Sequence, residues 1–212
     1  MLNFYVLRGA DGLYLLDGGF IGGRWLLRRA LRARGWDGER VRGIIVTHGH
    51  LDHILNIAAL ARETGAWVAA PRLDAEHYAG RPRYAGLARV TGVLEAIGRP
   101  VLGFRPFTPD RWLEDGDALE VWHGLRAVHL PGHTRGHMGY YCERLRLLFA
   151  ADLYASYRSG VHMPPGIFNS NPEQIPASIR KALALDLEGV LPNHCDKAPP
   201  DEHLRRLRTL SD

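Results

Sequence analysis

Lysine is nearly missing from this chain. Lys181 and Lys197 are the only two among 27 lysine and arginine residues. Cysteine is as scarce, with Cys142 and Cys195 alone. Two cysteines provide no disulfide framework, which fits a reducing compartment. No apolar run approaches the ~18 residues that a membrane-spanning helix needs. The opening "MLNFYVLRGADG" has no basic segment leading into a long apolar one, so no secretory signal is legible. These absences predict a soluble, cytoplasmic protein. A long basic run is absent too. The net charge is +4, but Arg8, Arg24, Arg62, Arg99 and Arg146 are scattered along the chain. A general preference for arginine accounts for that charge as well as an anionic partner does. Nucleic acid is therefore not an expected partner, and the oligomeric state is not legible.

What is present is enough for one core. The chain has 212 residues, 46% of them hydrophobic, and the apolar runs are spread along its length, which argues against disorder. "LNFYVLR" and "LYLLDGG" read as a hairpin about the turn "GADG". "GRWLLRRALRARG" has helical spacing and ends at Gly35. "VRGIIV" is a buried strand, "ILNIAALARETG" a second helix and "AWVAA" a further strand, giving an alternating α/β order. Residues 72–115 interrupt it. They read as a helical stretch broken near Pro82, then an irregular one. This is an insertion within a single 1–212 domain, either a lid over the sheet or a plain surface connection. Beyond it come two strands in "ALEVWHGLRAVHLPG", a hairpin around Arg144, a helix from "NPEQ", the short strand "EGVLPN" and a terminal helix. The β-rich, α, β-rich order suggests a two-fold pseudo-repeat.

Polar residues punctuate the strand ends. "VTHGHLDHIL" follows a buried strand and packs His48, His50, Asp52 and His53 into six positions. Loops at the carboxyl ends of strands are where open α/β sheets place their sites. Imidazole and carboxylate suit borderline cations such as zinc. The plainer alternative is a polar turn with Asp52 capping the helix from residue 54. Three further strand ends tilt the balance towards a site. His133 lies in "LPGHTRGH", with Gly132 giving the backbone freedom. Asp152 closes the apolar run "LLFAADL", a costly place for an unpaired carboxylate. His194 follows a strand in "GVLPNHCD".

The ordered set His-x-His-x-Asp-His, Gly-His-Thr, Ala-Asp and Pro-x-His resembles the metallo-β-lactamase superfamily, in its glyoxalase II-like and lactonase-like branch. The resemblance runs over nearly the whole chain and includes "LLDGG", whose Asp17 matches an aspartate beneath the site. It implies an αββα sandwich, an α/β fold in the broad sense, with a two-metal centre between its halves. By position, His48, His50 and His133 would hold one metal. Asp52, His53 and His194 would hold the second, and Asp152 would bridge them. The implied cofactors are two divalent ions, zinc first, with iron or manganese as alternatives. A shared hydroxide would attack a small-molecule carbonyl, and Asp52 would orient it and accept its proton. His137 is expected to be a structural support, and Cys195 a packed thiol rather than a soft ligand. His77, His123, His129, His162 and His203 are expected in surface or core roles.

The substrate is less legible. After Asp152 the chain reads "LYASYRSGVHMPPG" with no lysine, and after His194 it reads "CDKA"; both depart from the glutathione-binding pattern of glyoxalase II. Tyr154, Tyr157 and Phe168 are the candidate substrate contacts, either tyrosine being placed to donate to an oxyanion. Three functions stay open: a dinuclear hydrolase of a small ester, thioester or lactone; an iron oxidoreductase on the same ligands; and, least supported, a nuclease.

Overall fold

The computed structural model describes residues 2–211. Strands β1 (Tyr5–Arg8) and β2 (Leu13–Leu16) form the expected hairpin, with Tyr5 paired to Leu16 and Arg8 to Leu13. Helix α1 (Gly23–Ala33) leads to β3 (Val41–Ile45), parallel to β2. Two short helices follow, α2 (Leu51–Ile54) and α3 (Ile57–Thr64), where the sequence suggested one. The break falls at Asn56, whose side-chain amide donates to the carbonyls of Gly18, Gly19 and Phe20. Strand β4 (Trp67–Pro71) lies parallel to β3.

Residues 72–115 hold more order than the sequence suggested. They form the single turn α4 (Ala75–Tyr78) and the longer α5 (Arg89–Val101), which runs on through Pro100 into the stretch read as irregular. At their end β5 (Arg111–Leu113) joins the sheet parallel to β4. That strand was unrecognised because three residues are too few to show a period of two. The first sheet thus has the order β1-β2-β3-β4-β5.

The second sheet comes from β6 (Ala118–Leu119), β7 (Leu125–His129), β8 (Met138–Cys142), β9 (Leu147–Ala151) and a late strand. A two-stranded ribbon, β10 (Ala155–Tyr157) and β11 (Gly160–His162), intervenes before helix α6 (Ile175–Leu183). Strand β12 (Gly189–Pro192) then adds to β9 in parallel, and α7 (Pro200–Arg208) follows. The sheet order is β12-β9-β8-β7-β6. Each half of the chain therefore builds one five-stranded sheet, with only β12 returning late.

Alternation along the strands sorts the core into three layers. In β2, Leu13 and Leu15 face α1 and α3, while Tyr14 and Leu16 face the other sheet. In β9, Phe149 points between the sheets and Leu148 and Ala150 point to α6 and α7. Both faces of β2 are buried, so its four residues read as one apolar run. The result is helix, sheet, sheet, helix. The carboxyl ends of β2, β3 and β4 and those of β7, β9 and β12 open on one edge of this sandwich, and that edge carries the site.

Candidate metal centre

The loop after β3 turns directly into α2. Helix α2 starts at Leu51, with His50 at its N-cap, so Asp52 lies inside the first turn rather than capping a helix from residue 54. Gly49 is required here: a Cβ on it would sit 2.4 Å from the His77 side chain. The second half answers with single residues, His133 after β7, Asp152 after β9 and His194 after β12. Gly132, at φ 133°, lets the chain turn against Ile175 before His133.

All seven predicted residues converge. Donor atoms of His48, His50 and His133 lie within 4.8 Å of one another, as do those of Asp52, His53 and His194. Asp152 sits between the two triads. Its Oδ2 is 3.1 Å from His194 Nε2, 3.3 Å from His53 Nε2, 3.4 Å from His133 Nε2 and 3.9 Å from His48 Nε2. Asp52 Oδ2 is 3.6 Å from His53 Nε2 and 3.8 Å from His194 Nε2.

Hydrogen bonds behind the rings settle which nitrogen faces inward. Thr47 Oγ1 donates to Asp17 Oδ2 and so receives the Nδ1–H of His48 at 3.0 Å. His53 Nδ1 donates to Asp17 Oδ2 at 2.8 Å. Asn169 donates through Nδ2 to the Pro164 carbonyl, which turns its Oδ1 to accept from His133 Nδ1 at 2.9 Å. In their neutral form the inward Nε2 atoms of these rings therefore present lone pairs. Those of His48 and His53 are buried without a hydrogen-bond partner among the described residues, as is Asp152 Oδ1. His50 Nδ1 and His133 Nε2 stand 2.9 Å apart. Buried acceptors aimed at one another are costly unless a cation joins them, so the residues present fit a metal centre.

Electrostatics agrees with that chemistry. Burial pushes the imidazoles of His48 and His50 well below their ordinary range, keeping them neutral. Burial opposes ionisation of Asp152, yet His53 and His194 hold its carboxyl well below the usual value. Burial works against a proton on His53 also, but Asp152, Asp52 and Asp17 raise this ring well above its ordinary value. A metal ion binding there would displace that proton.

The supports around the site are partly those expected. His137 donates from Nδ1 to the Leu130 carbonyl, and its Nε2 accepts the backbone N–H of Asp152 at 3.0 Å. Burial drives its pKa down to about 3, consistent with a neutral strut. Asp17, at φ 66°, accepts from Thr47, His53 and Asn193 beneath the floor. Cys195 packs against Pro192 and Asn3 away from the triads. Asp74 escaped the sequence reading. It accepts from Gly49 N, Thr134 Oγ1 and Gly136 N, tying the loop of His48 to that of His133. Asn169 was missed as well, and His77, expected in a surface or core role, is buried and donates to the Gly49 carbonyl. Nothing in the spacing of "RLDAEH" or "IFNSN" distinguishes these residues from turn formers; only the long-range fold gives them partners.

Above the floor opens a cleft of about 410 Å³. Helix α5 walls it with Thr91, Leu94, Glu95 and Gly98, and Leu102 just past its end adds to the wall, so part of 72–115 covers the site. Glu95 accepts from Leu51 N and pairs with Arg99 at 2.6 Å, and Arg99 donates to the His77 carbonyl, which clamps α5 to the metal loop. Tyr154, Tyr157 and Phe168 line it too. The Tyr154 hydroxyl donates to the His203 carbonyl at 2.8 Å. That hydroxyl is thus engaged by the backbone, while Tyr154 itself lines the cleft.

Comparison with known proteins agrees with this geometry. Residues 1–194 match the metallo-beta-lactamase superfamily domain. The chain belongs to the metallo-beta-lactamase superfamily. Within the superfamily, a hydroxyacylglutathione hydrolase from Aeromonas hydrophila is 32% identical over 144 residues, 67% of this chain and 42% of that protein. The chain spans about half the length of the curated relatives it matches. A metallo-beta-lactamase family protein from Thermus thermophilus superposes with a TM-score of 0.76 at 24% identity, covering 99% of this chain and 73% of the other. A second protein, solved in a di-iron-bound form, gives 0.68 at 24% identity over 97% and 93% of the two chains. These likenesses show that the fold is that of the superfamily.

Proposed function

We propose that this chain is a metal-dependent hydrolase of a small ester, thioester or lactone, working with two divalent ions, zinc foremost. The observation that carries this reading is the convergence of two donor triads on Asp152, with lone pairs turned inward by the hydrogen bonds behind them. The curated relatives named as hydroxyacylglutathione hydrolases support the reaction class. Bound divalent ions supply Lewis acidity and a water acidic enough to serve as nucleophile at neutral pH. The chain's own residues do the rest. His48, His50 and His133 would hold one ion, and Asp52, His53 and His194 the other. Asp152 spans them. Asp52 is the half-buried carboxylate at the cleft floor, and burial pushes its carboxyl up, only partly offset by His53. That suits it to accept a proton from the attacking water. Tyr157 lines the cleft where the carbonyl oxygen would develop charge.

An iron oxidoreductase on the same ligands is the second reading, favoured by the structural neighbour in its di-iron form. A nuclease is disfavoured, because no lysine or arginine among the described residues lines the cleft. Metal quantification on purified protein, then assay of thioesters, lactones, phosphodiesters and β-lactams, separates these. About two zinc or manganese ions per chain with carbonyl hydrolysis is the expected result. Full activity in the metal-stripped protein would sink the hydrolytic reading.

A further inference from the structure

The cleft walls differ in kind from its floor. Apart from the candidate ligands, its charged lining is Glu95 alone, and that carboxylate is already neutralised by Arg99. The remaining walls are largely carbon: Phe20, Leu51, Leu94, Leu102, Pro164 and Phe168. Thr91 Oγ1 donates to the Ile167 carbonyl at 2.5 Å, joining α5 to the turn that bears Phe168, so the apolar wall is continuous around that side. Helix α5 is also inside out. It buries Thr91, Glu95 and Arg99, at i, i+4 and i+8, and turns Val90, Val93, Leu94, Ile97 and Val101 outward. An ordinary surface helix does the reverse. Leu94 stands at the edge shared by the outward row and the cleft and is 58% exposed. Among the described residues, the apolar lining therefore runs from the candidate metal floor to the rim with Glu95, paired with Arg99, as its one charged interruption.

We propose that the substrate's acyl arm is a long, uncharged hydrocarbon chain, lying along α5 from the floor to Leu94. This rests on the hydrolytic reading above and names the substrate class for it. A distal carboxylate on that arm would be desolvated against leucine, proline and phenylalanine with no cation to meet it. A methylene there leaves water, and each buried one raises kcat/KM by about threefold to fourfold.

The test uses metal-loaded protein and 4-nitrophenyl esters of acetate, butyrate, hexanoate and octanoate, together with the adipate monoester. The adipate arm is as long as hexanoate but ends in a carboxylate. From acetate to hexanoate kcat/KM should rise on the order of 100-fold, and adipate should fall at least about tenfold below hexanoate. Leu94→Arg should shrink the hexanoate-to-adipate ratio at least about tenfold by placing a cation at the rim. Binding to metal-free protein gives a second readout. Octanamide, followed by NMR line broadening, should bind more tightly than suberamate, its carboxylate-ended counterpart. A flat chain-length profile, or equal handling of the two arms in both measurements, overturns the proposal. If no ester turns over but octanamide still outbinds suberamate, the hydrolytic reading fails and the apolar-arm assignment stands.

Discussion

The floor of the cleft and its α5 wall are built on opposite plans. The floor is polar, buried and cross-braced: Asp17, His137 and Asn169 each fix a candidate ligand or its backbone from behind, and Asp74 ties together the loops that carry His48 and His133. The wall is largely apolar and is tied to the rest by few polar contacts, chiefly Glu95 on Leu51 N and Thr91 on the Ile167 carbonyl. Chemistry that must hold several donors within a few ångströms needs the first plan. Selection among acyl groups needs only shape and an absence of charge. A mutation in the floor should therefore change whether the reaction occurs, and one in the wall should change on what.

The most damaging test is at the centre. Asp152→Ala or His133→Ala should lower kcat/KM by at least about 1000-fold and remove metal, measured by elemental analysis. Next comes Asp74→Ala, which leaves three buried donors without an acceptor. It should cost about 2–4 kcal/mol in urea unfolding while leaving the wall intact. Asn169→Ala frees the His133 ring and should weaken metal binding about 10-fold to 100-fold by competition with a chelator. Apparent metal affinity should also fall as pH drops, with the loss beginning above the ordinary histidine value of about 6.5. The sign follows from His53 and His194, whose carboxylate neighbours raise them above their ordinary values, so acid keeps on them the protons a metal must displace. Smallest is Thr91→Val, which unfastens the wall. KM should rise about threefold to tenfold with metal content unchanged. Loss of metal in this variant would show that the two plans are not separable.

The ligand candidates were legible because each ends an apolar strand. A histidine or aspartate there breaks a pattern, and "THGHLDH" breaks it four times within six residues. The bracing residues broke none. Asp74, Asn169 and Glu95 each sit among ordinary turn or helix neighbours, and their partners lie 25 to 62 positions away. Helix α5 misleads for a related reason. Its periodicity is clear, but periodicity says which residues share a face and not which face is buried; here the polar face is inside because Glu95 finds Leu51 N and Arg99 finds the His77 carbonyl.

By itself, then, the chain's residue order determined the alternation of strands and helices and the polar residues at the strand ends, since apolar alternation and its interruptions are local properties; the layered sandwich came only with the family resemblance. The tertiary structure alone decided the rest. It brought the two implied triads within reach of Asp152, chose the inward nitrogen of each ring and set an apolar helix over a polar floor. Those outcomes depend on partners remote in sequence, which no local pattern can name.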